Sequence, residues 1–187
     1  MPNPIPSFDH NGVVPPHRGD PRIAADLSPY PCTTRDLCER FAISAERVAI
    51  LNGFLDFRAR LESLGFRNGY QWLDGSFLED VETRKKRPPN DLDAVTVYWG
   101  MDAATQTAIQ TGFLEFFDPR TAKATFRLDH YPFQIDFSPE FTVEYTRYWM
   151  QLFNHNRDGV WKGMLKIDLG TPVEDGEARA ILAGFTP

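Results

Sequence analysis

Polar and apolar positions along the chain fall into stretches of two kinds, one with a period of three to four and one that alternates. Between Ser44 and Gly65, Val48, Leu51, Phe54, Leu55, Leu61 and Leu64 recur at steps suited to a helix with one face on a core. Ser44 supplies an N-cap oxygen and Gly65 a C-terminal stop. A shorter helix is expected before it, opened by Thr33-Thr34-Arg35-Asp36, whose hydroxyl and carboxylate can satisfy free N–H groups ahead of Leu37, Cys38 and Phe41. Further helices are predicted over 103–112 behind Asp102, over about 119–127 behind Asp118-Pro119, and from Ser138-Pro139 through Phe153. Both prolines would sit at first helical positions, where an N–H would have no partner anyway.

Strands are predicted at Tyr70-Gln71-Trp72-Leu73, from Leu92 to Trp99, over residues 131–137 and from Val160 to Leu169, all rich in β-branched or aromatic residues. On the last of these, Lys162 and Lys166 would share one face, with solvent as the default surroundings. Arg84-Lys85-Lys86-Arg87-Pro88-Pro89-Asn90 reads as a polar loop. Helices come first and are then mixed with strands, without an internal repeat. The expected fold class is α+β, a small mixed β-sheet flanked by helices.

Composition narrows the classes. With 187 residues, 42% hydrophobic and 25% charged, the chain is the size of one domain and can bury a core. Eight of the 15 prolines lie in residues 1–31, so an extended arm is expected over 1–32, a folded domain over 33–170 and a tail over 171–187. A net charge of -6 gives no global attraction for nucleic acid or anionic membrane, so a polyanion would have to meet a local basic patch. No apolar run is long enough to cross a bilayer, and the N-terminus has no charged region followed by an apolar one. Cys32 and Cys38 are too few for a disulfide framework. A cytoplasmic protein without membrane contact is expected.

The candidate chemistry lies in Gly75-Ser76, followed after a loop of 14 residues by Asp91-Leu92-Asp93 at a strand start, and later by Asp136 in another strand. Residues two apart on a strand share a face, so Asp91 and Asp93 can converge, and a neighbouring strand can bring Asp136 beside them. Three nearby carboxylates repel unless a cation neutralises them, and hard Mg²⁺ or Mn²⁺ takes such oxygens while leaving positions for phosphate. A Gly-Ser turn offers backbone N–H groups and a hydroxyl to phosphate. Arg84, Lys85, Lys86 and Arg87 are either a solvated loop or contacts to a triphosphate or an RNA backbone. The alternative for Asp136 is an ion pair with an arginine such as Arg127, and that for Gly75-Ser76 is a plain turn. His10, His17, His130 and His155 have no metal-ligand spacing.

Over about residues 44–140, this order of Gly-Ser, Asp-x-Asp and a later Asp on a strand resembles the minimal nucleotidyltransferase superfamily, the polymerase-beta-like fold. The resemblance implies that Gly75 and Ser76 hold phosphate, that Asp91 and Asp93 bind metal, and that Asp136 is the third carboxylate. A longer resemblance, to an uncharacterised bacterial family of short nucleotidyltransferase-like proteins, is carried by Ile5-Pro6-Ser7-Phe8-Asp9, Asn11-Gly12, Pro15-Pro16, Leu73-Asp74-Gly75-Ser76-Phe77, Pro89-Asn90-Asp91-Leu92-Asp93, Asn156-Arg157-Asp158-Gly159 and Lys162-Gly163. The loop is longer than in toxin-like members of the superfamily, and Asn90 stands where they carry Ser.

What these resemblances imply is a Mg²⁺- or Mn²⁺-dependent enzyme that moves a nucleoside monophosphate from an NTP to a hydroxyl of a protein, an RNA or a small molecule. Lys85, Lys86 and Arg87 would help bind the nucleotide, and Asp136 would help deprotonate the acceptor. The alternative is an inactive module of the same fold, an interaction subunit in a toxin-antitoxin or defence system with an operon-encoded partner protein.

Overall fold

The computed structural model describes residues 3–186. In chain order the elements are β1 (Tyr30–Pro31), α1 (Thr34–Phe41), α2 (Ala45–Ser63), β2 (Gly69–Asp74), α3 (Val81–Lys85), β3 (Leu92–Tyr98), α4 (Ala103–Gly112), α5 (Pro119–Phe126), β4 (Leu128–Gln134), α6 (Pro139–Phe153), β5 (Leu165–Asp168) and α7 (Pro172–Ala183). Helix starts follow local chemistry. Thr33 and Asp36 form a reciprocal capping box on α1, and Ser44, Asp102, Asp118 and Ser138 each accept a backbone N–H at the head of their helices.

The strands form one mixed sheet in the order β1-β5-β2-β3-β4, so the class is α+β. β2 runs antiparallel to both β3 and β5, whereas β3 and β4 are parallel and joined by a crossover through α4 and α5. Parallel neighbours need such a crossover. Because the sheet is covered on both faces, β3, between β2 and β4, is buried on both. Leu92, Ala94 and Tyr98 join a larger core with α1, α2 and α7, while Val95 and Val97 join Trp72, Phe133 and Met164 beneath Trp149 and Phe153 of α6.

Four expectations need correction. The segment 131–137 is displaced as a strand: β4 starts at Leu128 and ends at Gln134, leaving Asp136 in a turn. A strand buried on both sides loses the alternation that would mark its start, and Leu128 and His130 face one core while Phe133 faces the other. β5 spans four residues, not Val160 to Leu169, and Lys162 lies ahead of it, buried. The basic loop contains a helical turn, α3. The segment 171–187 includes α7, which packs against α1 and α2.

The arm has no long regular element, yet Ile5, Val13 and Val14 are buried, and Tyr30-Pro31 already belongs to the sheet. Among the described residues Cys32 and Cys38 are free thiols. Burial raises both thiol pKa values, that of Cys38 to about 12. No helix among the described residues is long and apolar enough to cross a membrane.

Candidate functional site

Sheet register assembles the site. Asp74 at the end of β2 pairs with Asp93 on β3, which pairs with Asp129 on β4, so three carboxylates form a row across neighbouring strands on the face covered by α6. Paired residues point to the same side. Asp91, two residues before Asp93, shares that side. Ligand oxygens of Asp91, Asp93 and Asp129 lie within 4.8 Å of one another.

Asp136 does not join them. It lies past the other end of β4, where one carboxylate oxygen accepts the Gly100 N–H at 2.8 Å and the other accepts the Gln134 amide at 2.9 Å. These hydrogen bonds hold its pKa below the usual range. Asp129 takes the place expected of Asp136 and was missed because β4 starts three residues earlier than its aromatic residues suggest. The signal in the sequence was Leu128-Asp129-His130, a carboxylate one step after a buried leucine.

Gly75 directly follows Asp74 and has φ near 84°, a conformation that favours glycine. A Cβ there would stand 2.6 Å from an oxygen of Asp93, so the turn lies against the carboxylate as closely as a residue without a side chain can. Ser76 follows at the start of a 3-10 turn (Ser76–Leu78) and lines a cavity together with Asp91, Asp93 and Asp129. Beneath the turn, the buried Lys162 ammonium donates to the Gly75 carbonyl at 2.9 Å and pairs with Asp74 at 2.9 Å and Glu79 at 3.4 Å. Arg47, also buried, donates to the carbonyls of Phe77 and Glu79 and pairs with Glu82 of α3. The segment after the Gly-Ser turn is thereby fixed from two sides.

The cavity, about 330 Å³, is lined by buried or half-buried acids with the buried Lys162, and by the exposed Lys85, Arg87, Lys123 and Arg157. Of the basic run, Lys85 and Arg87 reach it. Lys85 pairs with Asp158 at 3.2 Å, Arg84 turns away to donate to the His10 carbonyl, and Lys86 is exposed in a left-handed conformation without lining the cavity. Sequence reading missed Lys123, Tyr131, His155 and Arg157 as lining residues, since they meet only through packing of α5, β4 and the segment after α6.

Burial shifts two of the carboxyls in the row. Burial pushes the Asp93 carboxyl up to about 6, helped by the charges of Asp91 and Asp129. Burial also carries Asp74 up to about 7, against the opposing pull of Lys162. Tyr131 is raised to about 12, by burial first and then by Asp129. Lys123 meets Asp91 in an ion pair that raises the lysine pKa.

Residues 6–168 match the model of DUF6932, described as a family of unknown function. The chain belongs to that family. The match spans every residue of the DUF6932 chain's carboxylate row, its Gly-Ser turn and Lys162. No curated protein and no solved structure matches the chain.

Proposed function

We propose that this protein is a metal-dependent nucleotidyltransferase that transfers a nucleoside monophosphate from an NTP to an acceptor hydroxyl. The observation that supports this reading best is the convergence of Asp91, Asp93 and Asp129 against a turn that only glycine can bring so close. Three hard oxygen donors, one of them with a raised pKa, suit Mg²⁺ or Mn²⁺. When bound, such an ion would polarise the phosphate and lower the pKa of the attacking hydroxyl.

The chain's own groups divide the remaining work. Gly75 and Ser76 present a backbone N–H and a hydroxyl to phosphate oxygens, while Lys85, Arg87 and Arg157 balance the charge of the triphosphate from the outer wall. The acceptor oxygen forms a bond to the α-phosphorus as the bond to the β-phosphate oxygen breaks and pyrophosphate leaves. Asp129, facing the cavity beside Tyr131, takes the hydroxyl proton.

Incubation with each α-labelled NTP, Mg²⁺ or Mn²⁺ and cell lysate should transfer label to protein or RNA. Asp93→Asn should abolish transfer while leaving the circular dichroism spectrum unchanged. No label from any NTP, or equal label with Asp93→Asn, would overturn the reading.

A further inference from the structure

Among the described residues, Asp91 is the member of the cluster that forms an ion pair, and its partner is Lys123 of α5. The lysine has a fixed base and a free end. α5 stops at Arg127 in a left-handed conformation, and the Arg127 carbonyl accepts the Leu92 N–H at 3.1 Å, tying the helix end to the strand that follows Asp91. The Lys123 side chain is 52% exposed, whereas that of Asp91 is 15% exposed. A half-exposed pair contributes at most about 1 kcal/mol to folding. Stability is therefore a weak reason for an ammonium at this position, directly beside two further carboxylates.

A divalent ion held by Asp91, Asp93 and Asp129 would lie near the ammonium and repel it, and the flexible stem lets the ammonium leave without moving α5. The place it would move into is already cationic and concave, lined by Ser76, Arg87 and Arg157. We propose that Lys123 is an internal counter-ion for the carboxylate cluster, which holds Asp91 when no divalent cation is bound and exchanges it for a polyphosphate oxygen when one is. This inference rests on the metal-dependent reading above. It assigns Lys123 two successive partners, so removing it should have opposite effects on the two ligands.

The test titrates the full chain, Lys123→Met and Asp93→Asn with Mn²⁺, reading free ion by electron paramagnetic resonance. The wild-type chain and Lys123→Met, each saturated with Mg²⁺, are then titrated calorimetrically with inorganic tripolyphosphate. Loss of one like charge about 4 Å from the ion should make Lys123→Met bind Mn²⁺ about fivefold tighter or more. Tripolyphosphate should bind this variant several-fold more weakly. A purely structural lysine would leave both affinities unchanged or weaken both, and either result overturns the proposal. Tighter Mn²⁺ binding with unchanged tripolyphosphate binding also overturns it, because the released ammonium would have met no phosphate. If Lys123→Met fails while Asp93→Asn abolishes Mn²⁺ binding, the counter-ion is refuted and the metal centre stands. If none of the three proteins binds Mn²⁺, both readings fall. Binding by Lys123→Met alone supports the proposal in its strongest form, a lysine that blocks the site until displaced.

Discussion

Asp93 is where burial and like charge act on one side chain, and its raised pKa has a definite sign in folding. A carboxyl raised from 3.8 to about 6 holds its proton more tightly when folded. Its contribution to stability is thus complete below about pH 4 and is lost as pH rises through 6. Buried His130, lowered to about 3, has the opposite slope in part of this range, since the unfolded chain then takes up the proton. Comparing Asp93→Asn with wild type cancels the histidine. The variant should gain stability relative to wild type as pH goes from 4 to 7, by on the order of 2 kcal/mol. Urea denaturation at several pH values checks this, and saturating Mn²⁺ should remove the variant's advantage. Asp91, Asp93, Gly75 and Ser76 were legible in the sequence because spacing on a strand and the demands of a tight turn are local properties. Asp129 was not, because its membership depends on which residue of β4 stands opposite Asp93. Lys162, which strand alternation would place in solvent by default, is instead a buried cation, since it lies before β5, where alternation does not apply.

Caps were the most legible features of the elements, and five of the helix starts occur at the residues their cap chemistry marks. The least legible element was α7, whose place is set by a partner distant in sequence. Arg58 of α2, almost fully buried, donates to both oxygens of Asp175, to the Gln71 amide oxygen at 2.8 Å, to the Asp168 carbonyl at 3.0 Å and to the Thr171 hydroxyl at 2.7 Å. One guanidinium therefore joins α2, β2, the end of β5 and α7. Arg58→Met leaves Asp175 without its cation and Gln71 without its donor. It should destabilise the protein by about 3 kcal/mol, the lower range for a broken buried pair. Arg35→Met, which breaks exposed pairs with Glu39 and Glu177, should cost less than about 1 kcal/mol. Urea midpoints separate the two, and limited proteolysis should release α7 first in Arg58→Met.

For the molecule as a whole, the N-terminal arm belongs to the scaffold of the site. Gly12 accepts the Asp80 N–H at 2.8 Å, Val14 donates to Leu78 at 3.3 Å, and the Val14 carbonyl accepts the Gly163 N–H at 2.7 Å. Gly163 has no room for a side chain, since a Cβ would stand 2.3 Å from the Pro15 carbonyl oxygen. The arm thus joins the segment after the Gly-Ser turn to the segment carrying Lys162. Its proline content marked it as extended, but proline says nothing of what an extended chain packs against. Removing residues 1–19 withdraws Ile5, Val13 and Val14 from the core, a loss of about 4 kcal/mol or more at roughly 1.5 kcal/mol per side chain. Urea unfolding should show this drop, and Mn²⁺ affinity should fall with it. The layout of charge in the cavity has a kinetic consequence. Asp91, Asp93 and Asp129 are less exposed than Arg87 and Arg157, and the buried Lys162 is paired with Asp74 and Glu79, so on the proposed reading a bare polyphosphate would be drawn to the mouth and repelled by the three carboxylates, and a bare divalent ion would meet the reverse. On the reading proposed above, a polyphosphate that arrives already carrying its ion would present a matching charge to both zones, so the preformed complex should enter faster than either species alone.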